Sequence, residues 1–148
     1  MIIETAITDD IPELCQLLAE LFNQEVEFAV DYEAQAKGLY AIITNPEVGM
    51  VLVARKQHRI IGMINILFTI STALGGRVAV FEDMVVMPNE RGSGIGSRLL
   101  TAAIETAKQQ GCKRITLLTD SNNPLAHQFY KKHGFTESQM VPFRMLLT

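Results

Sequence analysis

The sequence has no tryptophan, only two cysteines and no cluster of lysines and arginines. Its 13 basic and 16 acidic side chains give a formal net charge of −3, which argues against nucleic acid or an anionic membrane surface as a partner. No apolar run approaches the roughly 20 residues that span a bilayer, and the N-terminus lacks the basic flank of a signal peptide. These absences predict a cytoplasmic protein with no membrane partner.

The two cysteines, Cys15 and Cys112, lie far apart and form neither a CxxC pair nor a metal-ligand pattern. We therefore expect two reduced, buried thiols and no bound metal. With 148 residues, of which 48% are apolar and 20% charged, the chain has the size and composition of one globular domain. We expect that domain to span residues 1–148.

The most informative stretch is RGSGIG, from Arg91 to Gly96, which follows an apolar run ending at Pro88 and precedes a helical pattern that starts near Ser97. Glycines at alternate positions allow the backbone to turn its N–H groups toward an oxyanion, and the helix behind them adds the positive end of its dipole. Arg91 would add a full charge at the rim. The stretch therefore predicts a phosphate-binding loop.

The spacing of the loop excludes two common phosphate-binding motifs. A P-loop requires Lys followed by Ser or Thr where this chain has Ser97 and Arg98. A dinucleotide fingerprint requires G-x-G-x-x-G directly after the first strand, but here the third glycine comes one residue early and the loop lies late in the chain. The pattern that fits is R/Q-x-x-G-x-G, with Arg91, Gly94 and Gly96 at the defined positions.

This loop resembles that of the GNAT superfamily of acyl-CoA-dependent N-acyltransferases. The segment before it, EDMVVMP at 82–88, is similar to the family's fourth strand. NPLAHQFY at 123–130, followed by HGF at 133–135, is similar to the family's second cofactor motif. The three motifs stand in the expected order, so the resemblance is close over residues 80–136 and extends by pattern to the rest of the chain.

Periodicity places the elements of a mixed sheet. Short runs rich in β-branched and other apolar residues predict strands at 2–7, 50–54, 60–70, 78–87, 114–118, 135–138 and 143–147. Helical spacing predicts helices at 10–22, 31–45, 97–110 and 124–132, and Asp10 with Glu13 should form the capping box of the first. We expect an α/β fold of the α+β mixed-sheet kind, as the GNAT resemblance also implies. Its central sheet would be mostly antiparallel, with one parallel strand pair after the glycine loop, flanked by about four helices.

The resemblance implies an N-acetyltransferase that moves the acetyl group of acetyl-CoA, its cosubstrate, to a primary amine of a small molecule or peptide. The amine would attack directly, through a tetrahedral intermediate. In the family a bulged strand before the loop pairs with the pantetheine arm of CoA; the matching residues here are Met84, Val85 and Val86, and the Val85 N–H would polarise the acetyl carbonyl. The pyrophosphate would lie on the loop, and Asn123 would add a contact. The implied loop residues are Arg91, Gly92, Ser93, Gly94, Ile95, Gly96 and Ser97.

Tyr130 is the best catalytic candidate, as the proton donor to the departing thiolate. It follows Asn123 by seven residues, two helical turns, so both lie on one face of a short helix. A phenol with a pKa of about 10 can protonate a thiolate whose acid has a pKa of about 8.5, at a modest cost. The alternative is an aromatic ring that only packs beside Phe129.

Glu82 is the preferred general base, directly or through water. Glu82 and Asp83 should alternate in facing along a strand, so at most one would point into the acceptor cleft. Some family members carry a glutamate in the strand after the loop helix, but this chain has Leu117, Leu118 and Thr119 there. A structural acid at position 82, or an amine that arrives deprotonated, stays open.

The acceptor itself is not specified. A longer acyl chain, a protein N-terminus as acceptor, or an acyl-CoA-binding sensor without catalysis are the alternatives, and the resemblance also allows a homodimer through the C-terminal strand. The resemblance implies that the region 23–28 forms part of the acceptor wall, and a solvated connector is the alternative. Several carboxylates could make the cleft acidic and select a cationic amine: Glu25, Glu27, Asp31, Glu33, Glu82 and Asp83.

Overall fold

The computed structural model describes residues 1–23 and 30–147. The chain divides into two compact units, Met1–Leu118 and Thr119–Thr148. Residues 24–29, which include two of the acidic residues and most of the segment predicted as acceptor wall, lie outside the described part. No helix among the described residues is long and apolar enough to cross a membrane.

The first unit contains a five-stranded sheet in the order β1-β2-β3-β4-β5. The first four strands are antiparallel neighbours, and β4 runs parallel to β5. This confirms the predicted mixed sheet with its parallel pair. The strands are β1 (Ile2–Thr5), β2 (Gly49–Lys56), β3 (Arg59–Ser71), β4 (Gly76–Val86) and β5 (Ile115–Leu117).

Four α-helices lie in the described part of the chain: α1 (Ile11–Phe22), α2 (Tyr32–Ile43), α3 (Ile95–Gln109) and, in the second unit, α4 (Pro124–Lys132). They correspond to the four predicted helices. Single 3-10 turns at Thr8–Asp10 and Pro88–Glu90 lead into α1 and toward α3.

The apolar core forms on both faces of the sheet. On one face, the leucine stripe of α1, including Leu14 and Leu17, packs with Val53 of β2 and Met63 of β3. Successive strand residues point to opposite faces, and Ala54, which follows Val53, belongs to a separate cluster. There it packs with Ile61 of β3 and Ile95 of α3. The sheet therefore lies between α1 and α3, and α3 starts from an anchored residue.

The predicted capping box of α1 is wrong. Asp10 makes no side-chain cap hydrogen bond to the helix; its carboxylate accepts hydrogen bonds from the Ile7 N–H at 2.9 Å and from Arg55 Nη2 at 3.0 Å. Glu13 accepts instead from the Ile60 N–H at 2.9 Å. Two residues distant in sequence thus use the carboxylates that local spacing had assigned to the helix.

The two closing strands predicted at 135–138 and 143–147 are also wrong. Residues 135–147 belong to no helix or strand, and the Phe143 side chain is 97% exposed. A strand requires a hydrogen-bonded neighbour, and the described residues of the second unit contain no other strand to supply one. Apolar composition alone therefore overestimated the strand content.

Candidate functional site

The parallel pairing of β4 with β5 ends before β4 itself ends. Ala79, Val80 and Phe81 face the three residues of β5, whereas β4 continues to Val86. Beyond Phe81 this edge of β4 is not covered by β5. Backbone groups along an uncovered strand edge can pair with an extended ligand. The last three residues of β4, Met84 to Val86, are those that the family resemblance assigned to the pantetheine arm.

A β-bulge lies in the same stretch of β4. Asn65 of β3 faces Glu82 and Met63 faces Val85, so Asp83 and Met84 together stand opposite Ile64. Asp83 has a φ of +55°, the left-handed conformation that few residues other than glycine adopt. A bulge bends a strand and redirects the side chains next to it.

The bulge corrects the expectation that Glu82 and Asp83 face opposite ways. Directly paired strand residues project on the same face, so Glu82 lies on the side of Asn65. The Asp83 carboxylate also reaches that side, because its Oδ2 accepts a hydrogen bond of 2.7 Å from Asn65 Nδ2. The extra residue breaks the alternation. Glu82 is exposed and Asp83 is half-buried.

The glycine loop presents open backbone at the start of α3. Gly92 has a φ of +84° and Gly94 a φ of +83°, and a Cβ built on either would meet nothing within 4 Å. Gly94 is the N-cap of α3 and supplies no side chain to the first turn. The N–H groups of that turn lack intrahelical partners and carry the positive end of the helix dipole. The loop therefore has the space and the donors that a pyrophosphate requires.

Side-chain contacts hold the loop against the sheet. Arg91 Nε donates to the Val86 carbonyl at 2.9 Å, so this arginine joins the loop to the end of β4. Arg91 is nevertheless exposed to solvent. Ser93 Oγ donates to the Glu90 carbonyl at 2.8 Å. Ile95 is only 7% exposed and packs in the core, so a ligand would meet its backbone.

The other predicted acetyl-CoA-binding residues of the first unit are buried or half-buried. Val85 is 5% exposed and packs in the core with Met63, which leaves only its backbone for a ligand. Half-buried positions are occupied by Met84, Val86, Gly96 and Ser97.

The second unit contains the other two candidates. Asn123 is the N-cap of α4, and its Oδ1 accepts a 3.1 Å hydrogen bond from the Ala126 N–H. The Tyr130 ring lies edge to face with Phe129, 5.3 Å between centroids, and with Phe135, 5.9 Å. Burial raises the pKa of Tyr130 above the ordinary value for a phenol. The phenol therefore keeps its proton at neutral pH, as a proton donor requires.

Sequence reasoning did not single out Asn65. Its side chain is 3% exposed, yet it lies in a run that is otherwise apolar, from Ile60 to Phe68. A lone amide in such a run must find a hydrogen-bond partner when it is buried, and this was the available signal. Among the described residues, no group of three or more His, Cys, Asp or Glu could hold a metal ion.

Comparisons with known proteins agree with these features. The model of the acetyltransferase (GNAT) family matches residues 11–135. The uncharacterized N-acetyltransferase YhfO of Bacillus subtilis is 35% identical over 123 residues, which cover 81% of this chain and 82% of that protein. The aminoalkylphosphonate N-acetyltransferase of Salmonella typhimurium is 32% identical over 133 residues, 90% of this chain and 83% of that enzyme.

A solved structure extends the agreement to the fold. The putative acetyltransferase from Agrobacterium tumefaciens superposes with a TM-score of 0.83 at 26% identity, covering 99% of this chain and 100% of that one. The mixed sheet, the bulged β4 and the left-handed glycine loop before α3 are thus accompanied by a family match over most of the sequence. The chain belongs to the acetyltransferase (GNAT) family.

Proposed function

We propose that this protein is an N-acetyltransferase that transfers the acetyl group of acetyl-CoA to a primary amine of a small molecule or peptide, within one catalytic domain spanning residues 1–148. The family match runs through both compact units. One observation carries the proposal: the edge of β4 beyond Phe81 leads directly into a loop with two left-handed glycines at the N-terminus of α3. A ligand that carries an extended arm and an anionic group would fit the edge of β4 and the loop that follows it.

In this proposal acetyl-CoA is bound mainly by backbone groups of the protein. Residues Gly92 to Ser97 hold the pyrophosphate, with Arg91 at the rim, and Met84 to Val86 pair with the pantetheine arm. The Val85 N–H polarises the acetyl carbonyl, and Asn123 adds a contact. The open space above Gly92 and Gly94 supports the first assignment, because a larger residue would fill it.

The reaction forms a bond between the amine nitrogen and the acetyl carbon and breaks the bond from that carbon to sulfur. The attacking amine must lose a proton, and Glu82 accepts it, directly or through water. The departing thiolate takes a proton from the Tyr130 hydroxyl. The Tyr130 hydroxyl is protonated at the pH of the reaction, as a donor must be, while the burial that raises its pKa makes it a weaker acid.

Of these two acceptor classes, we favour the small-molecule amine. The support is the 32% identity to an aminoalkylphosphonate N-acetyltransferase, which extends over 83% of that enzyme. An acidic cleft that selects cationic amines has weaker support. Asp31 Oδ1 caps α2 by accepting from the Ala34 N–H at 3.1 Å, and Glu25 and Glu27 lie outside the described residues.

The test is a thiol-release assay with acetyl-CoA and a panel of amines that includes aminoalkylphosphonates, polyamines and a peptide with a free N-terminus. We expect release that depends on an amine and falls sharply in Tyr130→Phe, while acetyl-CoA affinity stays nearly unchanged. Thermal stabilisation by acetyl-CoA without turnover on any amine would reject the enzyme in favour of a sensor. Turnover in Tyr130→Phe equal to that of the unmodified protein would reject Tyr130 as the proton donor.

A further inference from the structure

The buried amide of Asn65 needs a hydrogen-bond partner, because a polar side chain in a core is costly unless it is hydrogen-bonded. Its Nδ2 donates to Asp83 Oδ2 at 2.7 Å, while its Oδ1 has no partner within the described part of the chain. Exchanging the two amide atoms would place an acceptor against the carboxylate, so the donor must face Asp83. Burial of the amide therefore contributes one strong contact, and that contact ends on the bulge.

Asp83 has a backbone conformation that such a contact can support. Its φ of +55° costs strain in a residue with a side chain, less in Asp than in most others, and surrounding structure must maintain it. Asp83 and Met84 share the place opposite Ile64, so a change of φ at Asp83 would alter the register. A slip of one residue would turn each following side chain of β4 to the other face, including the buried Val85.

We propose that Asn65 is a positioning residue: its amide holds Asp83 in the left-handed conformation and thereby maintains the bulge that shapes the acetyl-CoA edge of β4. Its effect on donor binding rests on the proposed function, but its effect on the bulge does not. Asn65 is buried and acts through Asp83, so it need not contact either substrate.

The experiment compares Asn65→Leu, Asp83→Gly and the double variant with the unmodified protein. Leucine keeps the branched shape of asparagine, although it is larger, and it cannot donate to Asp83. Glycine accepts a φ of +55° without strain, so it no longer needs the amide. We expect acetyl-CoA affinity, measured by calorimetry, to fall about tenfold in Asn65→Leu, the order expected for the loss of one hydrogen bond to a charged group. Asp83→Gly should restore affinity to within about threefold when added to Asn65→Leu.

A second measurement needs no ligand. Hydrogen exchange of residues 82–86 in the free protein should be faster in Asn65→Leu and return toward the original rate in the double variant. Ser71→Ala is the matched control, because Ser71 is another buried polar residue of β3, 8% exposed, whose Oγ accepts from the Leu74 N–H at 3.2 Å. It should lower stability without changing exchange in 82–86.

The outcomes separate the two proposals. If the unmodified protein does not bind acetyl-CoA but Asn65→Leu accelerates exchange, the proposed function fails and the positioning role stands. If Asn65→Leu changes neither exchange nor affinity, or if Ser71→Ala reproduces its effects, the positioning role is rejected. Failure of Asp83→Gly to restore both quantities would show that Asn65 acts other than through the conformation of Asp83, which also rejects it.

Discussion

Replacing Gly94 by Asp should strongly weaken acetyl-CoA binding without unfolding the protein. Gly94 has a φ of +83°, and its Cβ position is open, so the cost to the fold is backbone strain alone. That strain is about 1–2 kcal/mol for an ordinary residue and less for Asp, which tolerates the left-handed region. A carboxylate at the N-terminus of α3 recovers about 0.3–1 kcal/mol from the helix dipole. The melting temperature should therefore change by no more than about 4 °C.

The effect on binding should be much larger. Two unit charges about 4 Å apart near a protein surface interact by about 4 kcal/mol, and a pyrophosphate on this loop would meet the new carboxylate. Even half of that repulsion weakens binding about 30-fold, since about 1.4 kcal/mol corresponds to a factor of ten. Gly94→Ala separates the loss of space from the repulsion, and we expect it to weaken binding less than Gly94→Asp.

Gly111 provides the matched control at the other end of α3. Its φ is +80° and its Cβ position is equally open, so Gly111→Ala should cost the same strain, about 1–2 kcal/mol, without touching the loop. The assays are thermal unfolding and calorimetric titration with acetyl-CoA. Unchanged affinity in Gly94→Asp, or equal losses in Gly94→Ala and Gly111→Ala, would refute the assignment of the loop to the pyrophosphate.

Four further outcomes can be measured. Glu82→Gln should lower kcat/KM for the amine by about 100-fold at unchanged acetyl-CoA affinity, and an unaltered kcat/KM would remove Glu82 as the base. Because burial raises the pKa of Tyr130, its hydroxyl stays protonated beyond the ordinary phenol pKa of about 10. We therefore expect that ionisation of Tyr130 does not lower kcat below about pH 10. A fall in kcat below that pH that is absent in Tyr130→Phe would contradict this prediction. Burial also raises the pKa values of Cys15 and Cys112, so a thiol reagent should label the native protein slowly at pH 7 and the unfolded protein fast; fast labelling of both native thiols would disprove this. Finally, if the protein forms the homodimer that the family resemblance allows, sedimentation should give twice the mass of one chain. The mass of a single chain at assay concentrations would exclude the homodimer.

The glycine loop was predictable because its geometry is local. Gly92 and Gly94 adopt positive φ values that glycine permits without strain, and the helix begins directly after them. The leucine stripe of α1 was predictable for the same reason, since helical spacing alone places Leu14 and Leu17 on one face. Such features depend on residues within one or two turns of each other.

Local pattern was therefore enough to predict the glycine loop and the four helices, and the strand–loop–helix–strand connection was enough to predict the parallel pair of β4 and β5. Features that depend on residues distant in the sequence could be described only in the folded chain. Arg55 draws the Asp10 carboxylate away from α1, and the C-terminal apolar segment forms no strand because no neighbour pairs with it in the described second unit. The Asp83 bulge is the clearest case: its conformation is accompanied by a hydrogen bond from Asn65, 18 residues earlier on the adjacent strand. The physical reason is that strand register and buried polar contacts are set by cross-strand partners, whose pairing no local pattern specifies.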